Sequence, residues 1–380
     1  MIITHKTECF PNLKQVKSLE INFGIRRFFF NKTIMTLKHK YNDLKENRSL
    51  IKKKEIMEMR RSVFRDNYTH FTSLAPSHIL DTTMEDVMFA LNSLWKKGTD
   101  ITLRKKKISN TCRYGNSSPR GSFRYENGSK YISLPKLPNL KLAESLRWDN
   151  AKIKLVTVKK EAERYFISIT CEIPDRPKNI NHNRHLGIDW GISTYLTCYD
   201  GKNIYKADFD EKILKNLDRK IATNQKSLNR KKMFSNNWLK AKTKLQQTYL
   251  NFNNYRLDEI KKWVLKFDHE FDSVTLENLG MKFVTSNRRL AHKAKQKPFY
   301  LFKGTLINKF LQTGKSVYLV PKNYPSTQTC NFCGYIKTGE EKMKLGEKTY
   351  TCPSCKKICD RDENAAKNLW AYRNLELATI

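Results

Sequence analysis

Four cysteines and three separated acidic segments are the parts of this sequence whose types and spacing could do chemistry. Cys330 and Cys333 make one Cys-x2-Cys pair, Cys352 and Cys355 a second, and 18 residues lie between the pairs. Two turns that each offer two thiolates can close a tetrahedral shell around one Zn²⁺, and Gly334 permits the tight backbone after the first pair. Such a shell has no open position, so this zinc would hold structure and would not activate water. Four unligated, reduced thiols are the alternative, and Cys359 lies outside the pattern.

The acidic segments are weaker signals one by one. Asp189 ends the apolar run Leu186-Gly187-Ile188, and Gly191 two residues on would let a ligand approach the backbone. Glu277 ends a second β-type run, where the two-residue period of a strand puts Ser273, Thr275 and Glu277 on one face and Val274 and Leu276 on the other. Asp360-Arg361-Asp362-Glu363 opens a helix, with Asp360 suited to the N-cap and Ala365 and Ala366 small enough to press against a sheet. Each carboxylate alone also reads as an edge charge or a cap. Brought together, the three would repel unless divalent cations neutralised them. Two Mg²⁺ ions about 4 Å apart could then activate water on one side of a phosphodiester and stabilise the leaving oxygen on the other, with no histidine base. Eight scattered His without an H-E-x-x-H pair speak against a His-based metalloprotease.

These groups need a scaffold, and 380 residues suffice for two or three domains with real cores. Lys plus Arg number 73 against 37 acidic residues, a net charge of +36, which points to a polyanion and first to nucleic acid. With 39% apolar residues, the chain is too rich in core material to be a disordered basic protein. No apolar run approaches a membrane span, and residues 1–11 lack a signal-peptide pattern, so a cytosolic home is expected.

Residues 12–98 read as helical, most clearly from Ser77 through Leu80, Met84, Val87, Leu91 and Leu94 to Gly98. Phe28, Phe29 and Phe30 read as core rather than a base-stacking platform. Residues 101–182 turn β-rich, with strands over 153–158 and 165–171 joined by a turn at 159–164, and a basic surface that includes Arg104, Lys105, Lys106 and Lys107. Further strands are expected at 186–189, 194–199, 271–276 and 317–320. Between them, residues 212–244 hold eleven basic residues and one acidic residue in a mostly helical composition, read as one helix that suits a phosphate backbone. A merely solvated basic face is the duller reading of both regions.

The strings Leu186-Gly187-Ile188-Asp189-Trp190-Gly191-Ile192, Val274-Thr275-Leu276-Glu277-Asn278-Leu279 and Tyr324-Pro325-Ser326-Thr327-Gln328-Thr329-Cys330, followed by the Cys pairs and Asp360-Arg361-Asp362-Glu363-Asn364-Ala365-Ala366, resemble the TnpB family. TnpB proteins are transposon-encoded, RNA-guided DNA endonucleases related to compact type V CRISPR effectors and to Fanzor proteins. The likeness is strong over 183–372; earlier, only Cys9-Phe10-Pro11 and the stretch from Phe23 to Phe28 carry it. Asn278 stands where many members have Asp.

The resemblance implies an α/β multidomain protein: an RNase H-like RuvC nuclease domain with an inserted zinc ribbon, and an N-terminal wedge β-barrel interrupted by a helical recognition lobe. The implied boundaries are 1–14 and 101–182 for the wedge barrel, 15–100 for the recognition lobe, 183–325 and 358–380 for RuvC, and 326–357 for the ribbon. It further implies a catalytic, Mg²⁺-binding triad of Asp189, Glu277 and Asp362, with the family pattern favouring Asp362 over Asp360, and a structural Zn²⁺ on Cys330, Cys333, Cys352 and Cys355. The implied partners are a guide RNA (omega RNA) and double-stranded target DNA with a short flanking motif, bound by a monomer in the cytoplasm near the nucleoid, or in the nucleus of a eukaryote. From charge alone, Arg104, Lys105, Lys106, Lys107, Arg230, Lys231, Lys232 and Lys240 are placed on nucleic acid. A compact type V CRISPR effector, a non-cleaving RNA-guided regulator, a strand-transfer transposase and a zinc-ribbon RNA-binding protein are the competing functions.

Overall fold

The computed structural model describes residues 1–52, 54–56, 58, 74–105, 110–115, 123–175, 184–278, 291, 294–344 and 346–377. The chain divides into two compact units, Met1–Pro174 and Asp175–Ile380.

The first unit begins with β1 (Ile2–Phe10), whose alternate residues are buried as a half-covered strand requires. Next comes α1 (Leu13–Tyr41), started by a reciprocal capping box between Asn12 and Gln15. α2 (Ser77–Lys97) buries Leu80, Met84, Val87, Leu91 and Leu94, the stripe expected from their spacing, and ends at Gly98 in the left-handed conformation. Five strands follow: β2 (Thr111–Gly115), β3 (Tyr131–Leu134), β4 (Leu137–Leu142), β5 (Lys152–Glu161) and β6 (Arg164–Glu172). With β1 they form one antiparallel sheet in the order β2-β5-β6-β1-β4-β3, so the first strand of the chain lies in the middle. Phe29 and Phe30 are buried in this unit's core, and Phe28 packs against it.

Two expectations are corrected in this unit. The turn placed over 159–164 is only Ala162 and Glu163, both at positive φ, the signature of a two-residue hairpin turn. Arg104 does not face outward: its guanidinium packs over the Phe30 ring, 3.7 Å from the centroid, and lies 3.2 Å from Asp86. Arg26 (2.5 Å) and Arg113 (2.6 Å) grip the same carboxylate. Burial would raise Asp86, but the three guanidinium groups outweigh it and hold the carboxyl below its usual range. Lys105 is exposed, while Lys106 and Lys107 lie outside the described residues.

The second unit carries the mixed sheet. β7 (His185–Trp190), β8 (Leu196–Tyr199) and β9 (Ile204–Ala207) form an antiparallel meander. α3 (Glu211–Asn229), capped by Asp210, and α4 (Asn236–Glu270), capped by Ser235, follow. β10 (Ser273–Leu276), α5 (Phe299–Gln312) and β11 (Ser316–Leu319) continue the chain, and β10 and β11 add to β7 in parallel, giving the order β11-β10-β7-β8-β9. β12 (Thr349–Thr351) pairs with β13 (Ile358–Asp360), and α6 (Arg361–Leu377) closes the described chain.

The basic stretch 212–244 is therefore two helices, not one. The chain turns back after Asn229, and Asn224 Nδ2 donates to Thr248 Oγ1 across the hairpin at 2.8 Å. Arg230, Lys231, Lys232 and Lys240 sit at or beside its tip; Arg230, Lys232 and Lys240 are exposed and Lys231 half-buried. Among the described residues no helix is long and apolar enough to cross a membrane.

Candidate active site and metal centre

The sheet register fixes two of the three carboxylates. β10 pairs with β7 so that Leu276 lies beside Ile188, which brings Glu277 level with Asp189. By strand alternation His185, Gly187 and Asp189 share a face, as do Ser273, Thr275 and Glu277. His185 confirms that these are one face of the sheet, since Nδ1 lies 2.8 Å from Ser273 Oγ and Nε2 3.0 Å from Thr275 Oγ1.

α6 packs on that same face, and Gly187 lets it. A Cβ at Gly187 would lie 2.4 Å from both the Ala366 carbonyl oxygen and the Trp370 backbone nitrogen, closer than atoms can approach. Ala365 and Ala366 are fully buried, as their small size led us to expect. At the start of α6, exposed Asp360 is spent on capping: its Oδ1 accepts from the backbone N–H groups of Asp362 (2.9 Å) and Glu363 (3.0 Å). Asp362 is half-buried, and its Oδ2 is 3.7 Å from where a Gly191 Cβ would stand, at the end of β7.

Asp189 feels the other two carboxylates. Asp189 is only 4% exposed; burial first, then the negative charges of Glu277 and Asp362, push its carboxyl well above the usual range. Burial also raises Glu277, against a hydrogen bond from the Ser326 hydroxyl and the charge of Arg361. Asp362 is raised by burial and by Asp360, opposed by Arg361, Lys206 and Lys348. Arg361, Lys206 and Lys348 offset the three carboxylates only in part, since all three stay raised, and an all-oxygen anionic donor set suits hard cations. Its oxygens are spread more widely than the shell of a single ion: among the described residues, the four cysteines are the only such group whose ligand atoms all lie within 4.8 Å of one another.

The cysteines fit one zinc closely. Cys330 and Cys355 sulfurs stand 3.7 Å apart and those of Cys333 and Cys352 3.6 Å, close to the edge of about 3.8 Å expected for a tetrahedron with Zn–S bonds of about 2.3 Å. Burial pushes the Cys330 thiol up to about 12, whereas at Cys352 burial is outweighed by N–H groups of Cys355 and Ser354, which draw it down to about 6. A cation would ionise the rest.

Several neighbours of the site carry no role in the sequence reading. Ser326, 2% exposed, donates to Glu277 Oε1; it belongs to the string Tyr324–Cys330, which was singled out only as a likeness. Asn364 and Asn368, fully or nearly buried on α6, bond to the segment just before the cysteines. Arg361 tempers all three carboxylates, and its buried Nε has no hydrogen-bond partner. For Asn364 and Asn368 the available signal was polarity in a helix face otherwise made of Ala365, Ala366 and Leu369.

Two families match: one described as "Probable transposase" over residues 168–288, and one described as "Cas12f1-like, TNB domain" over 299–369. The fold is similar to that of the Cas12f1 chain in a Cas12f1-sgRNA-target DNA complex, with a TM-score of 0.53 over 97% of this chain and 98% of that one at 13% identity. A Streptomyces pristinaespiralis protein named "Putative RNA-guided DNA endonuclease" is 27% identical over 261 residues, 66% of this chain and 61% of its own length. The Escherichia coli (strain K12) "Putative RNA-guided DNA endonuclease InsQ" is 26% identical over 331 residues, 82% of this chain and 78% of that one. Relatives from Acanthamoeba polyphaga mimivirus carry the name TnpB-like protein. The chain is thus similar to proteins named RNA-guided DNA endonuclease and TnpB-like, as its motifs implied.

Proposed function

We propose that this protein is an RNA-guided DNA endonuclease that hydrolyses phosphodiester bonds of target DNA. One observation carries the chemistry: Asp189, Glu277 and Asp362, from three distant segments, converge at one edge of a mixed sheet, where the charges of Glu277 and Asp362 add to burial in raising Asp189. Asp189, Glu277 and Asp362 would hold divalent cations, Mg²⁺ in the cell. Bound there, such cations supply an activated water and a stabilised leaving oxygen. The protein's own part is to converge the carboxylates on rigid strands and a helix, with Asp360 and Ser326 fixing Asp362 and Glu277.

The five-stranded order, three antiparallel strands continued by two parallel ones, supports an RNase H-like RuvC domain. The antiparallel sheet around β1 supports a wedge domain interrupted by the helical segment. The sulfur tetrahedron supports a structural zinc ribbon at 326–357. Guidance by RNA and recognition of duplex DNA rest on the relatives' names together with the +36 charge. The exposed lysines of the α3–α4 hairpin are the placement we favour for backbone contacts.

Asp189→Ala should abolish target cleavage, by at least about a thousandfold, while leaving guide-RNA and DNA binding intact. A variant that still cuts with Mg²⁺ would refute the site. The products should carry free 5′-phosphate ends; joined strands would favour a strand-transfer transposase.

A further inference from the structure

Glu277 is held from outside the sheet, by a segment that also begins the cysteine cluster. Ser326 donates its hydroxyl hydrogen to Glu277 Oε1, and its own carbonyl accepts from Asn368 Nδ2 at 2.7 Å. The same Asn368 amide donates to the Thr329 carbonyl at 2.7 Å, and Asn364 Nδ2 donates to that oxygen at 2.7 Å. Asn364 Oδ1 then accepts from the Asn331 side chain at 2.6 Å and from its backbone N–H at 3.0 Å, inside the first Cys-x2-Cys pair. Ser326, Asn364 and Asn368 are all at most 5% exposed.

Side-chain amides buried this deeply are costly unless they are paired, and a single hydroxyl aimed at a carboxylate fixes which oxygen stays free. We infer that Ser326 is a positioning residue for Glu277, delivered to it by the Asn364–Asn368 clamp, so that α6 sets two of the three carboxylates at once: Asp362 directly and Glu277 through Ser326. Resting on the nuclease reading, this adds that the cation affinity of the carboxylate site depends on a hydroxyl outside the three carboxylates themselves. Partners of that kind typically govern metal affinity by 10–100-fold.

The test is Mn²⁺ binding to the full chain, read from the free-ion EPR signal without nucleic acid, alongside the Mn²⁺ concentration that half-saturates cleavage by the guide-RNA complex. Ser326→Ala should raise both concentrations about tenfold or more, while zinc content, thermal unfolding and guide-RNA binding stay near wild type. Ser326→Thr, which keeps the hydroxyl, should restore them. Unchanged Mn²⁺ dependence in Ser326→Ala, or a Ser326→Thr no better than Ser326→Ala, overturns the inference. Glu277→Gln separates the two claims. If it abolishes cleavage and weakens Mn²⁺ binding while Ser326→Ala behaves as wild type, only the positioning role fails. If Glu277→Gln itself binds Mn²⁺ and cuts normally, the carboxylate site fails, and the positioning role with it.

Discussion

Placing a methyl group at Gly187 is the sharpest perturbation the site offers, because it alters none of the three proposed catalytic side chains. The Cβ of Gly187→Ala would stand 2.4 Å from the Ala366 oxygen and the Trp370 nitrogen, whereas ordinary contact begins near 3.4 Å. Both neighbours are backbone, so no side chain can swing aside. α6 must move off the sheet by about 1 Å, and overpacking of this kind costs about 1–3 kcal/mol. For a unit of this size that is a loss of roughly 2–12 °C in the unfolding transition. Asp362 rides on the same helix, and a misplacement of about 1 Å in a reacting constellation costs on the order of 100-fold in rate. Thermal unfolding, guide-RNA binding and target cleavage of Gly187→Ala should therefore separate: a modest fall in Tm, unchanged RNA affinity and cleavage down by about two orders of magnitude. Cleavage within threefold of wild type would refute the claim that helix approach at Gly187 sets the carboxylate geometry.

Replacing Lys231 and Lys232 with Glu should flatten the dependence of log Kd on log salt by roughly 1.5 or more, since each neutralised phosphate contributes about 0.7–0.9 to that slope; an unchanged slope removes the hairpin tip from the nucleic-acid path. One zinc per chain is expected by mass spectrometry, and the double variant Cys330→Ser with Cys352→Ser should lose it together with the order of the 326–357 segment; retention of full zinc would rule out the four-sulfur site. Cys9 and Cys112 are pushed up to about 12 by burial, so at pH 8 almost none of either is thiolate, and both should resist alkylation until the chain is unfolded. Rapid labelling of either in the native protein, mapped by peptide mass, would contradict the packing of β1 and β2.

What could be read from the residues and what could not divide along a physical line. Cap, strand end and small-residue signals are local, so Asp360 as a cap, α6 pressed on the sheet and the leucine stripe of α2 were legible before any coordinates. The Cys-x2-Cys pairs are local twice over, and only their 18-residue separation had to be bridged. The misses are of another kind. Arg104 looked like one basic residue in a run of four, yet Asp86 of α2 and the ring of Phe30 draw it inward, a choice made by residues 18 and 74 positions away. The hairpin in 212–244 hid because both arms share one helix-forming, lysine-rich composition, with only Ser235 to mark the restart. Ala162-Glu163 carries none of the Asn or Gly that usually supply positive φ, so the strands ran further than expected. Ser326 is the most instructive: nothing in its neighbourhood along the chain distinguishes it from Thr327. Only the Asn368 amide, fixed by burial on a helix 42 residues later, turns its carbonyl one way and its hydroxyl toward Glu277. Carboxylate sites are thus announced by the acids that compose them, while the groups that aim those acids become visible only once the sheet register and the packing of α6 are known.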